Sequence, residues 1–230
     1  MMTGSGFADS DRQRYLDKCS LSIISYNSET KKFRCVYQKG KTISTLGTPT
    51  GKNEFELCFE AAFYLCRKGD AICVENCDPV RVLAQGEVQP CSIFWFLHMA
   101  RKLGITKKKL EVYSDFCNQG FIVRPASEVT AFYKESEFRE PPIHDYDVWE
   151  SQSYKKVDGA YPPPFVRVAV FDKIRDESTL STLIHSMTQP ASVTALLIHP
   201  DGSRQFHVKP VDRGTHIPQD IPRKHLSRPY

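Results

Sequence analysis

The chain has 230 residues, of which 40% are hydrophobic and 25% are charged, a balance typical of a globular protein with one large domain or two small ones. Its formal net charge is +4, and residues 209–230 hold five Lys or Arg against two Asp. A basic tail allows a nucleic-acid partner without requiring one. No apolar run approaches the ~20 residues of a membrane span and no secretory segment begins the chain, so we expect no membrane association and a location in the nucleus or the cytoplasm.

The eight cysteines do not predict a disulfide framework. Cys73 and Cys77 form the only close pair, and no second pair completes a tetrahedral zinc site. The others include four that lie among apolar residues, where a free thiol behaves as a small buried hydrophobic group: Cys58, Cys66, Cys91 and Cys117. We therefore expect neither a metal nor another cofactor.

The N-terminal part of the chain predicts a pair of strands after a polar lead. Residues 1–18 are rich in Gly, Ser, Asp and Arg and are predicted to be disordered. Strands are predicted at 21–26 and 33–37. Glycines and a proline then mark residues 40–51 as an irregular loop.

Two helices with a short strand between them follow. The apolar pattern predicts a helix over 60–68, which Gly69 ends in the left-handed conformation. Residues 71–74 then form a strand. The second helix runs from about 92 to 102, and its wide apolar face predicts a core helix closed by Gly104.

The third predicted helix begins with a cluster of positive charge. Thr106 is its cap, Lys107, Lys108 and Lys109 form its first turn, and Gly120 ends it. Three cations at a helix N-terminus oppose the macrodipole by a few tenths of a kcal/mol each. Two readings stay open, namely an exposed polar face and a surface that faces phosphates.

The next residues predict a sheet with a long insertion. Residues 121–123 form a strand directly after the third helix. From 134 to 161 the chain is polar and interrupted by prolines, which predicts a loop insertion flanking one strand at 146–149.

A strand, helix, strand and hairpin predict a mixed sheet between residues 162 and 210. The strands are predicted at 165–171, 193–198 and 205–208, with a helix over 179–187 packed on one face. Asp201-Gly202 is the predicted two-residue hairpin turn. The fold class is therefore α/β.

Common catalytic motifs are missing from the sequence. It has no Gly-rich phosphate loop, no Gly-x-Ser-x-Gly elbow and no paired-histidine metal motif. His185, His199 and His207 fall in the last module and could converge. On residue patterns alone, a binding or assembly module is favoured over an enzyme.

Five segments resemble motifs of tRNA-splicing endonuclease subunits, in the same order. Residues 57–72, L-C-F-E-A-A-F-Y-L-C-R-K-G-D-A-I, are similar to the family's L-P-E-E-A-x-Y-L-x-x-x-G-x-I. Residues 110–124, L-E-V-Y-S-D-F-C-N-Q-G-F-I-V-R, are similar to Y-x-V-Y-x-x-L-R-x-x-G-Y-x-V-R. The helix at 92–103, the strand at 146–149 and the strand start at 164–167 complete the series. The resemblance covers residues 20 to 210.

The resemblance implies two domains and a tail. The first is a small α/β domain at 19–104, and the second, at 105–210, is a tRNA-intron-endonuclease-like domain with a mixed sheet and flanking helices. Residues 211–230 then form a basic tail. Catalytic members of the family use Tyr, His and Lys without a metal, the histidine as general acid or base and the lysine to stabilise the phosphorane.

This chain departs from that triad at two positions. Val166 and Arg167 stand where the histidine is expected, and residues 189–194 supply no cation where the lysine is expected. The loss of one such stabilising group costs about 10²–10³ in rate. The resemblance therefore implies a subunit that is not an enzyme on its own, most similar to the larger structural type because of its two-strand lead-in.

The resemblance also implies partners. They are the catalytic and structural subunits of a heterotetrameric endonuclease, together with pre-tRNA. The expected partner interface consists of the hairpin turn and the sheet edge: Asp201, Gly202, Phe206, His207 and Val208. The expected RNA-contacting residues are four cations: Lys107, Lys108, Lys109 and Arg124.

Three alternatives stay open. Asp201 could serve only the turn, since Asp-Gly is a common hairpin pair. The chain could be an active endoribonuclease with an unaligned set such as Tyr154, His185 and His207. It could also be a protein-interaction module outside tRNA processing.

Overall fold

The computed structural model describes residues 21–52, 54–75, 90–130, 143–154, 161–173, 175–188 and 192–208. The predicted disordered N-terminus and basic tail lie outside the described residues, and so does much of the predicted 134–161 insertion. Within the described ranges, no helix has the length and apolar character that a bilayer crossing requires.

The described part of the chain contains both strands and helices, mixed along the sequence. The strands are β1 (Ser22–Asn27), β2 (Lys32–Tyr37), β3 (Thr48–Gly51), β4 (Glu54–Leu57), β5 (Ala71–Glu75), β6 (Ile122–Pro125), β7 (Tyr146–Trp149), β8 (Val166–Val170), β9 (Thr194–Ile198) and β10 (Arg204–His207). The helices are α1 (Thr42–Leu46), α2 (Phe59–Lys68), α3 (Ile93–Lys102), α4 (Lys107–Asn118), α5 (Ala126–Thr130) and α6 (Glu177–Met187).

These strands form two five-stranded sheets. The first has the order β3-β4-β2-β1-β5, and β1 and β5 are its parallel pair. The second has the order β10-β9-β8-β7-β6, in which β8 and β9 run parallel and α6 is the crossover between them. The other neighbouring strands are antiparallel. A mixed α/β protein with two mixed sheets confirms the predicted fold class at that level.

Helix boundaries follow the capping signals of the sequence. Ser92 Oγ accepts a hydrogen bond from Trp95 N at 3.2 Å, and Thr106 Oγ1 accepts one from Lys109 N at 3.3 Å. At the other end of α2, Gly69 has φ of 82°, which is the left-handed conformation predicted for it. These side chains satisfy backbone groups that a helix end leaves without a partner.

Residues 40–51 are not the irregular loop that the sequence predicts. They contain α1 and β3, and β4 follows directly. Ile43 and Leu46 of α1 are buried, so packing stabilises this short helix. The surrounding glycines favour a loop, and the local sequence therefore does not predict it. Local propensity is a weak guide where tertiary contacts decide.

The prediction of a core helix over 92–102 is wrong. Only Phe96 and Ala100 of α3 are buried, whereas Phe94 is 78% exposed and Ile93 is 40% exposed. Trp95, Leu97 and Met99 are partly buried against the core, so the apolar face packs at one side only and the start of the helix stays in solvent. The helix therefore lies on the surface.

One hydrophobic core extends across both sheets. It includes Ile24 and Phe33 from the first sheet and Val148 and Val168 from the second, with α2 and α4 packed against each other between them. The predicted domain division near Gly104 falls between α3 and α4 and stays a prediction.

Candidate partner interface and basic surface

The hairpin between β9 and β10 is exposed over residues 200–206. Its turn has three residues, Pro200, Asp201 and Gly202, because His199 N donates to Ser203 O at 3.0 Å and Gly202 N donates to His199 O at 2.9 Å. Only Gly202 has a left-handed φ, of 89°. The two-residue turn predicted at Asp201-Gly202 is therefore corrected to a three-residue loop, a type whose left-handed residue is commonly glycine.

Asp201 presents a fixed negative charge at the tip of this turn. Its Oδ1 accepts hydrogen bonds from Ser203 N at 2.8 Å and from Ser203 Oγ at 2.7 Å. The two bonds from Ser203 lower the pKa of Asp201, since hydrogen bonds to a carboxylate favour its ionised form. The carboxylate is exposed, so a cationic surface could approach it.

Strand β10 is a terminal strand of the second sheet. Its outer edge has no neighbouring strand within the described part of the chain. Phe206 is 49% exposed and Val208 is 59% exposed. Phe206 lies opposite Leu196. Hydrogen-bonded and non-hydrogen-bonded pairs alternate along an antiparallel ladder, and His199–Ser203 is a hydrogen-bonded pair, so Phe206–Leu196 is a non-hydrogen-bonded pair. The backbone N–H and C=O of Phe206 therefore point away from β9, toward the outer edge. Such an edge can accept another strand.

His207 differs from its neighbours on this edge. It lies opposite Ala195, which packs with Leu183 and Met187 of α6. Its Nε2 atom is buried and has no hydrogen-bond partner among the described residues. His207 therefore belongs to the α6 side of the hairpin and not to the exposed face that Phe206 forms.

The three lysines of α4 have different environments. Lys107 is 80% exposed at its side chain and pairs with Glu111 at 3.4 Å. Lys108 Nζ donates to the backbone oxygen of His199, and Lys109 Nζ contacts Asp145 Oδ1 at 2.7 Å. Of the three, only Lys107 is exposed, and its ion pair is with an exposed carboxylate on the same helix.

The Lys108 contact brings the predicted partner interface and the predicted basic surface together. It joins the first turn of α4 to the residue that opens the hairpin turn. Arg204 of β10 adds a second tie, because its Nη2 lies 3.4 Å from Asp115 Oδ2 on α4. The turn and the lysine-bearing helix are thus parts of one surface.

Arg124 is a structural residue in this fold, and its placement does not fit an RNA contact. Its side chain is buried, with 2% exposure. The guanidinium donates to Leu46 O, to Gly47 O at 2.7 Å and to Thr45 O at 3.3 Å. It therefore ties the second sheet to the C-terminal carbonyls of α1 and has no free donor face for phosphate.

The position expected for the family's histidine contains a buried ion pair. Arg167 Nε lies 3.3 Å from Asp147 Oδ1, and His144 Nε2 lies 3.0 Å from the same oxygen. Arg167 Nη1 also donates to the carbonyl oxygens of Ser186 at 3.4 Å and Met187 at 3.3 Å. This arrangement anchors the C-terminus of α6 to the sheet and leaves Arg167 enclosed.

The unaligned catalytic set is not brought together. Tyr154 packs against Trp149 of β7, whereas His207 lies in β10. Two strands separate β7 from β10, so these two strands lie about 14 Å apart. Burial raises the pKa of Tyr154 to about 12, and His185 is exposed on α6. These three side chains do not form one site.

A buried polar network between the sheets is not evident from the sequence. Tyr146 Oη lies 3.3 Å from Glu60 Oε1 and 3.2 Å from Lys109 O. Burial raises the pKa of Glu60 and that of Tyr146. The sequence correctly predicts a helix at Glu60 and a strand at Tyr146. It does not predict that the two side chains meet, because they are far apart along the chain.

A cavity of about 460 Å³ lies beside Lys107, between α3 and α4. It is lined by Leu97, Ala100, Arg101, Gly104, Ile105, Thr106, Lys107 and Leu110. Most of the lining residues are apolar, and Arg101 and Lys107 are the charged residues among them. In the described ranges, no group of three or more His, Cys, Asp or Glu residues is arranged to hold a metal ion.

Comparisons with protein families and with curated proteins find no match to this chain.

Proposed function

We propose that this protein is a non-catalytic structural subunit of a tRNA-splicing endonuclease-type complex, in which β10 pairs with a strand of a catalytic subunit. The observation that carries the proposal is the outer edge of β10, which has no neighbouring strand among the described residues. Phe206 of this strand and Val208 directly after it are exposed there. Pairing there would satisfy outward backbone groups and bury both side chains. The proposal implies a nuclear location, with the cytoplasm as the alternative.

Two further features support an assembly role. The exposed Asp201 carboxylate is held in its ionised form by Ser203, so it suits a basic cleft on a partner. The expected histidine position is filled by Val166 and Arg167, and Arg167 is bound to Asp147. A chain with this arrangement offers surfaces for binding a partner, but it has other residues where the catalytic histidine and lysine are expected.

A direct role in holding pre-tRNA rests on fewer residues than the sequence indicates. Lys107 remains a candidate because it is exposed, while Lys108 and Lys109 are engaged within the protein. We therefore propose a modest, salt-dependent contribution from the α4 N-terminus, in which Lys107 is the principal contact.

The test is co-purification with the catalytic and structural subunits of the endonuclease after co-expression. Phe206→Lys places a charge on the pairing edge, and Asp201→Asn removes the charge of the turn while keeping an acceptor for Ser203. We expect each variant to weaken recovery of the partners, Phe206→Lys by roughly thirtyfold, as for the loss of a binding hot spot.

Phe94→Lys is the matched control, because Phe94 is more exposed than Phe206 and lies on α3. It should leave recovery unchanged. Full recovery of the partners with both hairpin variants would contradict the proposal.

The two alternative functions, an active endoribonuclease and an interaction module outside tRNA processing, predict different results for the same purified protein. Cleavage of intron-containing pre-tRNA by the isolated protein would favour an active endoribonuclease. Mass spectrometry of captured proteins that finds no tRNA-processing subunits would favour an interaction module outside tRNA processing, for which the β10 edge would serve equally well.

A further inference from the structure

Two cysteines that are distant in sequence meet at the edge of the first sheet. Cys73 lies in β5, the terminal strand of that sheet. Cys91, directly before α3, donates its backbone N–H to Cys73 O at 2.7 Å. The covalent bonds on either side of this single hydrogen bond limit the separation of the two Cα atoms to about 6.5 Å. That separation lies inside the range of about 4.4–6.8 Å that a disulfide bridge spans.

The two thiol groups lie close enough for each to be the first cause of the shift in the other's pKa. Cys73 Sγ also donates to Val74 O at 3.9 Å, and both residues are free cysteines. Their environments differ, because Cys73 is 1% exposed whereas Cys91 is only half-buried. An oxidant can therefore reach Cys91 first, with Cys73 positioned behind it.

The closeness of the two thiols separates their reactivity. The neighbouring Cys73 thiol lowers the pKa of Cys91, while the Cys91 thiol and burial raise the pKa of Cys73. A thiolate is the nucleophilic form of cysteine. Burial raises the pKa of Cys66 and of Cys117 to about 12, which keeps both as thiols.

We propose that Cys73 and Cys91 form an oxidisable dithiol site that reacts with hydrogen peroxide and closes to a disulfide. The Cys91 thiolate attacks one peroxide oxygen, so that an S–O bond forms, the O–O bond breaks and the leaving hydroxide takes a proton to become water. The Cys73 sulfur then attacks the Cys91 sulfenic acid. The S–S bond forms, the S–O bond breaks, and the hydroxyl leaves as a second water with the proton of Cys73.

The site is separate from the proposed function. It lies on β5 in the first sheet, whereas the proposed pairing edge is β10 in the second. The bridge would connect β5 to the residue that leads into α3. Oxidation would therefore restrain the start of the surface helix.

The experiment uses the full chain, reduced and then treated with hydrogen peroxide. The reaction is quenched in acid, free thiols are alkylated under denaturing conditions, and the protein is analysed by intact mass and by peptide mapping. We expect two fewer alkylated thiols, a mass lower by two hydrogens before alkylation, and a peptide that links Cys73 to Cys91. Cys117→Ser is the matched control and should retain the link.

Two variants separate the steps. Cys91→Ser should abolish the loss of thiols, and Cys73→Ala should leave a sulfenic acid on Cys91 that dimedone traps. Cys91 is only half-buried, so the Cys91→Ser variant should fold. It therefore tests the proposal even if Cys73→Ala fails to fold. A link from Cys91 to Cys66 or to Cys77, or retention of Cys73 as a free thiol after peroxide treatment, would overturn the proposal.

Discussion

At the scale of single residues, Arg124 shows that the role of a charged side chain cannot be inferred from the local sequence alone. It ends the segment at 110–124, where a cation that contacts RNA phosphate is predicted from the sequence. The structure buries it against three carbonyl groups at the end of α1. A long-range contact with residues 45–47 cannot be read from local pattern, because neither segment carries a signal for the other.

Arg124→Gln should destabilise the protein by about 3 kcal/mol, because it leaves buried carbonyl oxygens without donors. For a chain of this size that corresponds to a fall in Tm of roughly 6–12 °C, measurable by circular dichroism. Arg101→Gln is the control, since Arg101 is exposed on α3, and it should change Tm little. A shift below about 2 °C for Arg124→Gln would show that the carbonyl groups find other partners.

Glu128 gives the stability a pH dependence of predictable sign. Burial raises the pKa of Glu128 from 4.5 to about 7, with Arg124 opposing the shift. Between these values the unfolded chain releases the proton and the folded chain retains it. The stability of the fold therefore decreases as the pH rises through this window and levels off above about pH 7.

Glu128→Gln should remove this contribution. The variant should match the wild type near pH 4.5 and exceed it at pH 8 by up to about 3 kcal/mol. Urea unfolding at both pH values measures the difference. Glu111→Gln, at an exposed ion pair on α4, is the control, and its stability difference from the wild type should not increase comparably with pH. An equal Glu128→Gln effect at both pH values would contradict the buried, protonated carboxyl group.

At the scale of elements, the sequence predicts most of the fold and misses what packing decides. The strand–helix–strand–hairpin unit of β8, α6, β9 and β10 follows from the strand-forming runs and the turn residues of 162–210. Its helix begins after Asp176, which accepts a hydrogen bond from Thr179 N at 2.9 Å. The short helix α1 and the surface position of α3 do not, because both depend on which face meets a neighbour. The predicted interface on β10 is exposed as expected, except that His207 turns toward α6.

The hairpin turn depends on the backbone conformation of Gly202. Its φ is 89°, and an added Cβ atom would meet nothing within 4 Å, so strain alone determines the effect of a side chain. Gly202→Ala should cost about 1–2 kcal/mol, and Gly202→Asn should cost less because asparagine adopts the left-handed region more readily. Urea midpoints rank the two variants. Equal costs would indicate a steric cause instead of a conformational one.

At the scale of the whole molecule, the continuous core predicts a single unfolding transition. The chain has two tryptophans. Trp95 packs against Tyr26 of the first sheet, and Trp149 lies in β7 of the second. Because buried residues of both sheets share one cluster, the halves should unfold together.

Trp149→Phe leaves a fluorescence probe in the first half, and Trp95→Phe leaves one in the second. In each variant, the urea midpoint from fluorescence should coincide with that from far-UV circular dichroism. The comparison is made within one variant, so any loss of stability from the substitution cancels. Two separated midpoints would instead indicate domains that unfold independently, as a division near Gly104 would allow.

The bonds from Ser203 to Asp201 determine how the hairpin would meet another molecule. The carboxylate already has its orientation and its charge in the free chain. A partner would therefore not have to order this loop, and little conformational entropy would be lost on contact. Encounter should accordingly be governed by diffusion and by attraction between opposite charges, so that added salt slows association more than it hastens dissociation.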